Sequence, residues 1–252
     1  MMSRHFSKAG AWLFALAFVW YLAGNYMLDH LSKERLAEAE IIHVREQYAD
    51  LGNHTKVVLD TQVDSRRDVG KLKLIFEPGL TQVKVNNPNL QIAVSMQAAS
   101  DAFHIRLSSS KSDLRYHRSE EIEIHLPVSV RKLEFAGDSG AEISGSFPAP
   151  ETALELSMRD CGSRTDIGDL QVSQLRLVSR CVPPPTKECC SMTYSLNKDM
   201  RVTKLEVQMP FGNLDIHPER LPQQILLDVG EDVQISGRRE FFKLARFVPD
   251  KS

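Results

Sequence analysis

From Lys56 onward the chain alternates apolar with polar residues, and in its second half the alternation returns as short triplets at a nearly constant interval. Leu133-Glu134-Phe135, Leu154-Glu155-Leu156 and Leu175-Arg176-Leu177 open 21 residues apart. Leu205-Glu206-Val207 follows after 30 residues and Leu227-Asp228-Val229 after 22. The longer interval contains the stretch CVPPPTKECC, and removing about nine residues restores the period. A second short element sits between triplets: Ala141-Glu142-Ile143, Thr165-Asp166-Ile167, Leu214-Asp215-Ile216 and Val233-Gln234-Ile235. Such alternation turns one face of a strand to a core and the other to water. Two short strands per repeat of about 20 residues is the pattern of a β-solenoid, in which each rung buries its neighbour's apolar row. The sequence therefore predicts a mainly β fold, with a right-handed β-helix or β-solenoid domain over residues 53–248 and a β-sandwich as the alternative for the second half.

The first half carries the same alternation in KLKLIF, QVKV, FHIRL and EIEIHL. Pro78-Gly79, Asn86-Asn87-Pro88, Gly137-Asp138, Gly162-Ser163 and Gly212-Asn213 read as turns between strands. The run IEIHLPVSVRKLEFAGDSGAEISG, with LELSMRDCGSRTDIGDLQVSQLRL after it, resembles the auto-transporter adhesin head (GIN) domain family of bacterial envelope proteins. That family repeats a Leu-x-Leu strand, a Ser/Gly/Asp turn and an Ile-centred strand. The likeness covers residues 56–247 in layout and 121–237 in motif, and the chain departs from the pattern at Arg159, at Met209 and in its Cys-Pro loop. The resemblance implies an extracytoplasmic β-helical fold and brings no catalytic residues with it.

The N-terminus has a different character. Ala11 to Leu28 reads AWLFALAFVWYLAGNYML without a charge, close to the ~20 residues that span a bilayer core. Arg4 and Lys8 precede it, which favours a cytoplasmic N-terminus over 1–9 and a transmembrane signal anchor over 10–28. A cleavable signal peptide is the rival, but Tyr21 and Leu22 stand where its cleavage site needs small side chains. From Asp29 to Leu51 the spacing of Ile41, Val44, Tyr48 and Leu51 predicts a helix, giving a helical stalk or linker over 29–52 that Gly52-Asn53 would stop. The expected location is a bacterial inner membrane, crossed once, with the C-terminal domain in the periplasm or otherwise extracytoplasmic.

An oxidising compartment makes Cys161, Cys181, Cys189 and Cys190 disulfide candidates. A solenoid would bring Cys161 and Cys181 onto adjacent rungs, and pairing of Cys181 with Cys189 or Cys190 across Pro183-Pro184-Pro185 is the alternative. Their spacing matches neither a zinc pattern nor a redox Cys-x-x-Cys. A formal net charge of −2 supplies no field to hold nucleic acid. Gly137-Asp138-Ser139-Gly140 has the look of a serine-protease nucleophile segment, yet it falls at the inter-strand turn of the repeat. The carboxylate pairs Glu121/Glu123 and Asp166/Asp169 read as solvated strand faces, and His104, His117, His125 and His217 show no ligand spacing. No catalytic, cofactor or metal residues are assigned. The function expected is a non-enzymatic, membrane-anchored envelope protein presenting its solenoid to a protein partner or a surface polymer such as a polysaccharide, with self-association left open. A carbohydrate-acting β-helix enzyme and an envelope sensor or assembly subunit are the alternatives.

Overall fold

A computed structural model describes residues 45–61, 71–88, 92–109, 121–137, 140–159, 164–180 and 192–248. They belong to one unit, Val44–Ser252. The transmembrane segment expected over 10–28, residues 29–44 of the expected stalk, and all four cysteines lie outside the described residues. Among the described residues, no helix is long and apolar enough to cross a membrane.

The unit is mainly β. Its strands begin with β1 (Arg45–Asp50), β2 (Lys56–Thr61), β3 (Lys71–Glu77), β4 (Gln82–Asn87) and β5 (Ile92–Ala98). Next come β6 (Phe103–Ser109), β7 (Glu121–Pro127), β8 (Lys132–Ala136), β9 (Gly140–Ser146) and β10 (Ala153–Met158). The last are β11 (Arg164–Ser179), β12 (Thr193–Leu196), β13 (Arg201–Ile216), β14 (Gln224–Gly237) and, after helix α1 (Arg239–Leu244), β15 (Ala245–Phe247).

Their hydrogen bonds build two ladders. Ladder A runs β5, β6, β2, β8, β10, the end of β11, the start of β13, the start of β14 and β15. Ladder B runs β1, β4, β7, β3, β9, the start of β11, β12, the end of β13 and the end of β14. Pairing is parallel throughout except at one end, where β5 lies antiparallel to β6, and β4 antiparallel to both β7 and β1. Parallel neighbours require the chain to leave a ladder and return, and here it does so by crossing to the other one. β11, β13 and β14 cross without a break; the register shifts between Ile167 and Leu170 in β11 and between Met209 and Phe211 in β13, as at a β-bulge. Gly212 stands at the second bend with φ +115°, and a Cβ there would lie 2.4 Å from the Met192 carbonyl oxygen on the neighbouring rung.

Inward residues stack between rungs: Leu154 on Leu175, Leu175 on Leu205, Leu205 on Ile225, all buried. Each such side chain contributes roughly 1.5–3 kcal/mol by leaving water. Tyr194 crosses this core from β12; its buried hydroxyl donates to the Val178 carbonyl at 2.8 Å, with the Leu156 carbonyl 3.2 Å away. Burial pushes its phenol far above the ordinary tyrosine range, so it stays a neutral donor.

The register departs from a simple alignment of triplets. Leu133-Glu134-Phe135 pairs with Leu156-Ser157-Met158, two residues beyond Leu154-Glu155-Leu156. Likewise Leu227 opposes Val207 instead of Leu205. A slip of two keeps each side chain on its own face. Triplet alignment would set Glu134 against Glu155 and Asp228 against Glu206, and like charges directly opposite are destabilising. The slips place Lys132 opposite Glu155, and Asp228 opposite Gln208. In ladder B, Glu142 and Asp166 do share a position, but Lys73 opposes Glu142 from the other side and Arg164 Nε reaches Asp166 at 3.1 Å.

Two local expectations are corrected. Residues 45–50 form strand β1 and not the end of a helical stalk: they pair along their whole length with β4, leaving Tyr48 54% exposed. A sparse apolar stripe cannot compete with a complete row of backbone partners at a sheet edge. Asn86-Asn87 likewise complete β4 instead of forming a turn, and the buried Asn87 amide donates to the Ile92 carbonyl at 2.8 Å to hold the chain beyond. The expected rungs also missed β12, which fills ladder B between β11 and β13.

Two measurements of chemical denaturation check this account. Gly212→Ala should cost at least about 3 kcal/mol, from left-handed backbone strain plus a rung-to-rung clash, whereas Gly79→Ala, with φ +84° but open space around it, should cost only about 1–2 kcal/mol. Tyr194→Phe should cost about 1–2 kcal/mol by removing the one hydroxyl that ties β12 to the opposite ladder; an unchanged midpoint would remove that bond from the account.

Candidate functional site

The outward positions of ladder A are set by the same alternation that fills the core, and four of them fall in line. Lys132, Glu155, Arg176 and Glu206 share one register position on successive rungs, alternating in sign. Lys132 Nζ lies 2.7 Å from Glu155 Oε1, and Arg176 Nη1 lies 3.5 Å from Glu155 Oε2. Both oxygens of Glu155 are thus engaged by cations from the rungs on either side. A neighbouring row holds Glu134 between Lys56 at 3.0 Å and Arg159 at 3.2 Å. Burial alone would push the Glu134 carboxyl up. The hydrogen bond and charge of Lys56, with Arg159 and Lys132 behind it, outweigh that and hold it below the usual carboxylate range.

The segment between β9 and β10 turns this face into a groove of about 610 Å³. Pro148 and Pro150 cannot continue a ladder, and the segment is pinned at both ends. Phe147 is buried with its ring 5.0 Å from that of Phe76, and its N–H donates to the Gln171 carbonyl. The Thr152 hydroxyl donates to the Ala149 carbonyl at 2.9 Å, while the Gln174 N–H donates to the Thr152 carbonyl. Arg131, over the Phe147 ring at 5.9 Å, lines the same groove. Arg131, Lys132 and Arg176 stand against Glu151, Glu155 and Glu206 in the lining, three cations and three carboxylates, so the formal charge sums to zero. The lining contains no Ser, Cys or His. Within it, Lys132 and Arg176 are paired with Glu155, and Glu206 with Lys204 at its rim.

The residues weighed from sequence are dispersed. Glu121 is paired with Lys73, while Glu123 accepts from the Asn86 amide at 3.2 Å. Asp166 is bound by Arg164, and Asp169 accepts from Gln171 at 3.4 Å. His125 lies between Glu77, 2.7 Å from its Nδ1, and the Asn86 amide, 3.2 Å from its Nε2. His104 lies in β6 and His217 just after the end of β13, and His117, Asp138 and Ser139 lie outside the described residues. Among the described residues no group of His, Cys, Asp and Glu is arranged to hold a metal ion. The groove residues went unnoticed in the sequence although most are outward members of the triplets or their neighbours. Their sign alternation is hidden until the two-residue slip is known.

No protein-family model matches the chain, and no curated protein matches it. Several solved structures overlay on it weakly, among them the three that follow. A candidate adhesin from Bacteroides fragilis is 15% identical, covers 81% of this chain and 94% of its own, and gives a TM-score of 0.41. A candidate lipid-binding protein from Parabacteroides distasonis is 11% identical, covers 81% and 96%, and scores 0.34. A candidate cell-adhesion protein from Clostridium sporogenes is 11% identical, covers 73% and 75%, and scores 0.28. At these scores and identities the overlays settle neither fold nor function, and the resemblance to the GIN family rests on the sequence motif.

Glu134 gives the site a pH signature. A carboxyl held low in the folded state contributes stability that is complete above its unfolded value, about 4.3, and is lost as pH falls through the folded value. Glu134→Gln should therefore lower stability at pH 7 by about 0.5–1 kcal/mol, as expected of a partly exposed pair. Denaturation at pH 7 and at progressively lower pH should show the difference from the parent chain shrinking with acidification. A constant difference would mean that the charge of Glu134 is not what matters.

Proposed function

We propose that this unit is a coil-per-repeat β-solenoid of the bacterial envelope that binds a partner protein or surface polymer along ladder A and performs no chemistry itself. In this reading residues 10–28 anchor it in the inner membrane with the unit outside the cytoplasm, and the GIN-like motif of residues 121–237 belongs to such an extracytoplasmic solenoid. The observation that carries the binding role is the groove over Lys132, Glu155, Arg176 and Glu206, which crosses four rungs and is lined by as many cations as carboxylates. A balanced surface of this kind does not draw one sign of ligand. It suits a hydroxyl-rich neutral polymer or a mixed-charge polypeptide, whose polar groups can exchange places with those ion pairs. The open length of stacked rungs supplies an extended face in place of a deep pocket.

In-cell photocrosslinking tests the reading. A photoreactive residue replacing Gln174 in the groove is expected to capture one recurring envelope component, and the same residue at Asp215, on the outer face of ladder B, is expected to capture none or a different one. Arg176→Glu, which sets three carboxylates in a row, should reduce the Gln174 product severalfold while leaving the unit folded. Identical products from both positions, or protease inaccessibility of residues 45–248 in intact spheroplasts, would reject it.

A further inference from the structure

The two ends of the ladders are finished differently. At one, antiparallel β1, β4 and β5 close the stack. At the other, α1 plugs the core with fully buried Phe241, and β15 lays Ala245 on Ile225 and Phe247 on Leu227. Those are core-row positions, since Ile225 and Leu227 are buried, yet Phe247 is 57% exposed. Of the large apolar side chains exposed among the described residues, Phe242, Leu244, Phe247 and Val248 all belong to this end, and Tyr48 is the remaining one. Within residues 238–248, exposed Arg238, Arg239, Lys243 and Arg246 stand among them with Glu240 as the one acid, a charge of +3 for that segment, while the adjoining strand β14 carries exposed Asp228, Glu231 and Asp232.

We propose that this C-terminal end of the stack docks on the anionic surface of a lipid bilayer. Two requirements must be met together: the cations call for negative charge, and the four apolar side chains call for an apolar phase. A second copy is the poorer fit, because symmetric end-to-end stacking sets the cationic 238–248 segments of two copies against each other. Nucleic acid could use the charge and the rings of Phe242 and Phe247, but it leaves the aliphatic Leu244 and Val248 without an apolar phase. An anionic bilayer surface supplies both, with headgroup charge for Arg and Lys and an acyl boundary a few ångströms beneath for Phe and Leu. This contact does not depend on the groove or on the anchor proposed for residues 10–28; β1, which follows that segment, lies at the opposite end of the ladders.

Hydrogen exchange read by peptide mass spectrometry separates this contact from anything the N-terminus does. The full chain is reconstituted in vesicles of phosphatidylcholine alone and of phosphatidylcholine with one-third phosphatidylglycerol. Amides of residues 241–248 should exchange about fivefold more slowly in the anionic vesicles, with the difference screened away by high salt. Peptides from β8 to β11 should not change, and they report that each variant is folded. Combined Arg238→Gln, Arg239→Gln and Arg246→Gln should abolish the difference, and so should combined Phe242→Ser and Phe247→Ser. Equal exchange in both vesicles overturns the proposal. Protection that grows with protein concentration without lipid assigns the end to a second copy, and equal protection by soluble polyglutamate assigns it to an acidic polypeptide; either result also overturns it.

Discussion

Everything in this unit depends on backbone pairing between rungs. A strand of five or six residues with alternating apolar side chains cannot bury them alone; it needs an in-register neighbour on each side and the opposite ladder across the core. Leu154, Leu175, Leu205 and Ile225 form one continuous row only because β10, β11, β13 and β14 are hydrogen-bonded in sequence. The bends inherit this constraint. At Gly212 the chain passes so close to the Met192 carbonyl that the rung below dictates which residue the rung above can use.

Charge then selects among the registers that hydrophobicity allows. An apolar row tolerates a slip of two residues, since every side chain keeps its face, so core packing alone leaves several alignments nearly equivalent. Lys132 opposite Glu155, and Asp228 opposite Gln208, distinguish the observed alignment on ladder A. The resulting row of alternating charges is also the floor of the groove. Lys132, Glu155 and Arg176, which pair between neighbouring strands, therefore also line the groove.

The ends of the ladders show what happens where pairing stops. Antiparallel strands finish one end with short edges of polar outward faces. The other is closed by a single helical turn and three strand residues, leaving Phe247 on a core row with nothing stacked above it among the described residues. That contrast, and not the abundance of apolar residues, is what marks the C-terminal end as a surface with its own chemistry.

Strand content was legible from the alternation alone, because period two is a local property: KLKLIF, EIEIHL and QLRL all lie in strands as read. The pairing of Leu175 with Leu205 across the 30-residue interval was also legible, as was Ala141-Glu142-Ile143 beside Thr165-Asp166-Ile167. The identity of β1 was not, since an edge strand draws its stability from β4, nearly forty residues away in sequence. Neither was β12, whose Tyr194-Ser195-Leu196 lacks the charged centre of its neighbours. The groove was hidden for the same reason. By itself, the sequence determined which residues face the core and which face water; the tertiary structure decided which outward residues meet, because the chain crosses between ladders before it returns and only the completed register brings Lys132, Glu155, Arg176 and Glu206 into one line.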